Sequence, residues 1–264
     1  MNKEVKNRYA IGVGLIALIL IAFAYTKMNK LPDCQQDPAA KIVVIIDQTD
    51  PVTPLQRDEI GKRVLTFLNN ARIKSPIIYS AAEIKQQDAP VNSLVSIFNI
   101  TSDYKNLKPA LVACRPAGKS DVNAITDDPQ SKERDYKKLF LNPVSEKIAM
   151  TGVPDKASPI LETLAAISRT NYFSPMGSGK PKTKVLIFSD LVQFSDSLNM
   201  YGCVDPASIK DSSLITSVRE SYKNAEVYLN VIDRDKKDSL NLPTNRCLSL
   251  FWQQELNPVE SEAL

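Results

Sequence analysis

Two short runs restrict the folds open to this chain more than anything else in it. Lys41–Ile46 (KIVVII) is continuously apolar and mostly β-branched and leads into Asp47, and Val185–Ser189 (VLIFS) repeats the pattern and leads into Asp190. A strand-length run with no polar alternation has no face to turn to water, so both runs predict strands in the middle of a sheet covered on both sides. The rest of the chain alternates accordingly. Pro54 opens a helical pattern in which Leu55, Ile60, Val64, Leu65, Phe67 and Leu68 recur up to Ala71. Leu94–Ile100 predicts a second strand, and Pro109–Cys114 a short third one returning antiparallel after a turn near 102–106. Arg115–Ser131, rich in Pro, Gly, Asp and Asn, predicts a long surface loop. Helices are expected over Tyr136–Met150, Ile160–Arg169, Ile209–Asn224 and Arg246–Leu256, the last carrying Phe251 and Trp252 into the core, with a final strand at Val227–Ile232. The expectation is an α/β fold with a mainly parallel central sheet and helices on both faces. In such sheets, ligand-binding groups gather beyond the carboxyl ends of the strands.

Ahead of this pattern, Ala10–Ala24 (AIGVGLIALILIAFA) lies between Lys3, Lys6 and Arg8 on one side and Lys27 and Lys30 on the other. Extended to Thr26 it reaches 17 residues, the lower limit for a helix that spans a bilayer. The basic amino terminus favours a cytoplasmic end and export of the remainder. The expected organisation is a cytoplasmic segment 1–9, a transmembrane signal anchor 10–26, a polar linker 27–40 and one domain over 41–264. Ala22-Phe23-Ala24 also has the small-x-small form of a signal-peptidase site, so cleavage is the competing reading.

Composition removes several classes of function. The chain has no histidine, which excludes catalytic His–Ser and His–Cys pairs and His-ligated zinc. Its 33 basic and 30 acidic residues are interspersed, without the dense basic blocks that nucleic-acid binding leaves, so no nucleic acid is expected as a partner. Gly177-Ser178-Gly179-Lys180 is no phosphate loop, because the glycine spacing is too short and Pro181 follows the lysine at once. The four cysteines, Cys34, Cys114, Cys203 and Cys247, all follow the apolar segment, and none form a C-x-x-C pair. An even count on the exported side suggests disulfides. Cys34 precedes the first strand, and Cys114 closes a strand expected to return to that same end. Cys203 and Cys247 both belong to the carboxyl end. The pairing expected is Cys34–Cys114 with Cys203–Cys247.

The loop Asp47-Gln48-Thr49-Asp50-Pro51-Val52-Thr53 follows the central strand, with Ser158 before the Ile160–Arg169 helix and Asp190 after the second apolar run. Carboxylate and hydroxyl oxygens converging on one edge are the donors a hard cation such as Mg²⁺ takes. In this arrangement the sequence resembles the von Willebrand factor A-like domains. Their metal-ion-dependent adhesion site has an Asp-x-Ser-x-Ser loop after the first strand, a threonine before a later helix and an aspartate after the fourth core strand. Asp47, Thr49, Ser158 and Asp190 match those positions, whereas Pro51 stands at the second serine. The resemblance implies a site for Mg²⁺ or another divalent cation that accepts a carboxylate from a protein partner. The same residues acting singly would cap strands and helices. Three functional readings follow: a membrane-tethered protein-binding or scaffolding domain of a cell-envelope complex, a metal-free structural domain with a degenerate site, and an exported metal-assisted hydrolase.

Overall fold

The computed structural model describes residues 34–69, 89–122, 127–150, 155–173, 183–201, 212–232 and 245–263. The first apolar run forms β1 (Lys41–Asp47), buried from Ile42 to Asp47 as its uninterrupted sequence requires. Around it, among the described residues, lie β2 (Leu94–Ile100), β3 (Leu111–Cys114), β4 (Thr183–Ser189), β5 (Glu226–Val231) and β6 (Glu260–Ala263), in the order β3-β2-β1-β4-β5-β6. All neighbours are parallel except β3, which pairs antiparallel with β2, Leu94 facing Cys114. The result is a doubly wound sheet with one antiparallel edge strand, the mainly parallel α/β class expected.

Side-chain alternation sorts the core into two layers. Ile42, Val44, Ile46, Val95, Ile97, Leu186 and Phe188 pack under α1 (Pro54–Leu68), α2 (Pro129–Tyr136) and α3 (Asn142–Ala149). Val43, Ile45, Phe98, Val185, Ile187, Val227 and Leu229 pack under α4 (Ile160–Ser168), α5 (Ser213–Tyr222) and α6 (Asn245–Leu256). Trp252 is fully buried there and its indole N–H donates to the Leu191 carbonyl at 2.8 Å, as the core reading of that residue requires. Helix α1 starts where the sequence directs: the Thr53 hydroxyl accepts from the Gln56 amide, the Gln56 side chain accepts from the Thr53 amide, and Pro54 takes the first turn.

Three expectations need correction. The stretch 115–131 is not loop throughout, because Lys119–Asp121 forms a 3-10 turn and α2 begins at Pro129, capped by Asp128, whose carboxylate accepts from the Gln130 amide at 3.0 Å. Nor is Tyr136–Met150 one α-helix. Pro143 has no N–H to offer the fourth carbonyl before it, and the chain widens into a π-turn at Lys137–Leu141 in which the Asn142 amide reaches back to Lys137. Finally, the unit containing the sheet runs from Cys34 rather than Lys41. Cys34 is fully buried, and the Ala39 amide donates to the Asn92 carbonyl, so the last residues expected as linker are part of the fold.

Cys34 is bonded to Cys114, their Cα atoms 5.6 Å apart. The antiparallel direction of β3 is what returns Cys114 to the amino end of β1. Cys203 and the side chain of Cys247 lie outside the described residues, as does the whole apolar segment 10–26. Among the described residues, no helix is long and apolar enough to cross a membrane.

Candidate functional site

At the carboxyl ends of β1 and β4 the alternation of the strands turns Asp47 and Ser189 to the same face, the one covered by α4. Ile46 is paired with Phe188, so the two polar residues follow side by side at the ends of neighbouring strands. Ser158 arrives from the segment entering α4 and is fixed there by a two-bond bridge with Phe194, the Ser158 amide to the Phe194 carbonyl at 2.8 Å and the reverse at 2.9 Å. The three elements meet on one carboxylate.

Asp47 Oδ1 accepts from the Thr49 amide at 3.1 Å and from the Thr49 hydroxyl at 2.6 Å. Its Oδ2 accepts from the Ser158 hydroxyl at 3.1 Å and from the Ser189 hydroxyl at 2.7 Å. All four residues are buried: Asp47 is 6% exposed, Thr49 3%, Ser158 5% and Ser189 0%. The Ser189 hydroxyl in turn accepts from the Leu191 amide at 2.9 Å. Leu191 stands at φ 64°, a left-handed conformation unfavourable for a branched side chain, and is held by its own burial and by the Trp252 indole on its carbonyl.

Of the residues read from sequence, the structure therefore brings Asp47, Thr49 and Ser158 together. Asp190 lies one residue past the end of β4, where its Oδ1 accepts from the Val192 amide at 3.0 Å, and Ser189 holds the place beside Asp47. Ser189 carried its own signal, a hydroxyl at a core position of an apolar strand.

A second buried polar group lies along α4. The Gln193 side chain, fully buried, accepts from the Leu161 amide at 2.8 Å and so satisfies the first turn of a helix that lacks a capping side chain of its own. Its amide nitrogen donates to Glu162 Oε2 at 2.9 Å, and the Ser195 hydroxyl donates to Glu162 Oε1 at 2.6 Å. Sequence reasoning passed over Gln193 and Glu162, since a glutamine in a loop and a glutamate in a helix carry no pattern by themselves. Farther out on the same edge, the Asp155 carboxylate accepts from the Ser102 amide at 2.8 Å. That contact, first through the Ser102 side chain, holds Asp155 below the usual carboxylate range.

Whether these residues suit a divalent cation is decided by the donor set. A carboxylate offers about four acceptor positions, and Asp47 has given all of them to protein N–H and O–H groups. Pro51 adds no side-chain oxygen, and among the described residues no three of His, Cys, Asp or Glu are gathered. As it stands, the arrangement is a closed hydrogen-bonded hub centred on Asp47.

No protein-family profile and no curated protein matches this sequence. Solved structures to which this chain is similar include the conserved hypothetical protein BatB from Bacteroides thetaiotaomicron, at 9% identity over 84% of this chain and 89% of that one with a TM-score of 0.39. A second is an aerotolerance-related membrane protein from Bacteroides fragilis, bearing multiple mutations to serines, at 10% identity over 84% and 90% with a TM-score of 0.37. A third is proximal thread matrix protein 1 from the mussel byssus, at 12% identity over 83% of this chain and 48% of that one with a TM-score of 0.41.

Proposed function

We propose that the chain is a membrane-tethered domain, displayed outside the cytoplasm, that binds a protein partner through the carboxyl edge of its sheet, with Asp47 organising that edge without a metal ion. The observation that carries this reading is the company the Asp47 hub keeps. Of the six large apolar side chains left exposed among the described residues, three, Leu55 (78% exposed), Met150 (46%) and Tyr201 (37%), belong to this edge. Leu55 opens α1 immediately after the Asp47 loop. The Met150 carbonyl accepts from the Gln48 side chain at 3.1 Å, and the Tyr201 ring meets Phe194, the bridge partner of Ser158, edge-on at 5.3 Å. Apolar side chains presented beside a buried hub suit docking, where contact area and a fixed shape give the affinity.

At Asp47 the hub's chemistry supports binding rather than turnover, since a carboxylate whose oxygens are all engaged is poorly placed to attack a substrate or activate water. The Cys34–Cys114 bond supports an oxidising compartment for the domain.

The test is a cross-linked pull-down from membranes with the full chain, comparing wild type with Leu55→Glu and Tyr201→Ala, each with and without chelator. One protein should be retained by wild type, lost from both variants and indifferent to chelator. Retention by both variants would remove the carboxyl edge from the interface, and loss with chelator, or calorimetric binding of Mg²⁺, would overturn the metal-free hub.

A further inference from the structure

The surface around the π-turn carries a second feature, independent of the carboxyl edge. Lys119 from the 3-10 turn, Gln130, Glu133 and Arg134 from α2, Lys137 and Lys138 from the π-turn and Asn142 from α3 line an open groove of about 470 Å³. That volume falls within the roughly 300–1,000 Å³ of small-ligand sites. The sequence scatters its charges, but here the fold collects four cations against one carboxylate. Glu133 is shared, its Oε1 lying 3.1 Å from the Lys137 ammonium and its Oε2 accepting from the Lys119 amide at 3.4 Å. The excess is three positive charges around one concavity, with the side-chain amides of Gln130 and Asn142 as neutral donors beside them.

Two structural causes make this a formed site. Along the π-turn before Pro143, Lys137, Lys138 and Leu139 are exposed consecutively between the buried Tyr136 and Phe140. The opposite wall is clamped by Arg115, which is 1% exposed. Its guanidinium donates to the Leu68 carbonyl and to Asp121 Oδ2, each at 3.0 Å, and lies over the Tyr136 ring at 5.3 Å. Asp121 Oδ2 also accepts from the Gly118 amide at 2.9 Å, so the turn that presents Lys119 is tied to the helix that presents Arg134.

We propose that this groove binds ligands carrying clustered phosphate groups. A single carboxylate ligand would leave most of the excess charge uncompensated, whereas phosphate supplies several acceptor oxygens and up to two charges per group to converging Lys and Arg donors. Lipid headgroups and free polyphosphates share this chemistry.

Calorimetric titration of the full chain in non-ionic detergent separates them, using pyrophosphate in one arm and short-chain phosphatidylinositol bisphosphate against dihexanoyl phosphatidylcholine in the other. Affinity for at least one phosphate probe should fall about tenfold or more in the Arg134→Gln, Lys137→Gln, Lys138→Gln variant. It should hold within about twofold in a Lys62→Gln, Lys223→Gln control, which removes exposed cations elsewhere on the surface. Binding of the phosphatidylinositol bisphosphate but not phosphatidylcholine assigns a lipid source, and binding of pyrophosphate alone assigns a free one. Absence of binding by both phosphate probes up to about 1 mM, survival in the triple variant or equal loss in the control overturns the proposal. Thermal melting of each variant confirms that the fold is kept.

Discussion

Truncating Asp47 tests the hub most directly. Asp47→Ala removes the acceptor for three buried hydroxyls and one amide, whose present bonds run from 2.6 to 3.1 Å. Hydrogen bonds to a charged group contribute about 1.5–3 kcal/mol each, but they do not add, and deleting the carboxylate also removes the cost of burying it. The released hydroxyls are free to rotate, whereas the Thr49 amide is not. The expected loss is about 3–5 kcal/mol, a large share of a typical stability of about 5–15 kcal/mol. Asp47→Asn should cost far less, about 1–2 kcal/mol, because the amide oxygen still accepts from Thr49 while the Ser158 and Ser189 hydroxyls turn to accept from its nitrogen. Urea denaturation of the full chain in one detergent measures both, read as midpoint shifts at constant slope. Adding Mg²⁺ should leave the wild-type midpoint where it was, since only a ligand that binds the folded state raises it. If Asp47→Ala costs less than about 1 kcal/mol, or if alanine and asparagine cost the same, the four bonds do not hold this edge together and the reasoning fails.

Three further outcomes are expected. A Cys34→Ala, Cys114→Ala variant should lose about 4.5 kcal/mol by the loop-closure relation for a separation of 80 residues, and a loss under about 1 kcal/mol in urea melts would contradict it. Trp252→Phe leaves the Leu191 carbonyl without its donor and opens space in the core, so it should cost about 2–4 kcal/mol, again by urea melts, with no loss at all as the contrary result. Asp155 has a folded pKa below its unfolded value, so its bonds to Ser102 stabilise the fold above the ordinary carboxylate range and cease to do so as the pH falls through the lowered value. Carboxyl-carbon NMR titration should show Asp155 protonating at lower pH than in a Ser102→Pro variant, which lacks both the hydroxyl and the backbone amide, and coincident curves would refute the assignment.

The central strands were legible because apolar β-branched runs admit few other conformations: the sequence places Leu94–Ile100 within the limits found, and β1 differs by one residue. The direction of β3 followed from its short turn, and the Cys34–Cys114 pairing from that direction. Strand β6 was invisible, since Glu-Ser-Glu-Ala has low β-propensity and is made a strand by pairing with Tyr228–Val231. Asp128-Pro129 was a readable helix start hidden by the composition around it. The π-turn needed only the observation that Pro143 falls inside a helical pattern. At the site, Asp47, Thr49 and Ser158 were legible from the rule that strand carboxyl ends collect function. Ser189 was not, because the charge of Asp190 drew the inference one residue too far, and in a strand one residue changes the face.

The bond between Cys34 and Cys114 also decides how the domain bears mechanical load. Tension applied between the two ends of the chain reaches Cys34, crosses the sulfur bridge to Cys114 and continues toward Leu264, so β1, α1 and β2 sit in a closed loop outside the line of force. Pulling cannot unzip β1 from its own amino end, so the load falls on the ladder that joins β1 to β4 outside the closed loop. With a separation of 80 residues at about 3.4 Å each, roughly 270 Å of contour stays locked when the rest is drawn out, and reductant should release it as a single added extension.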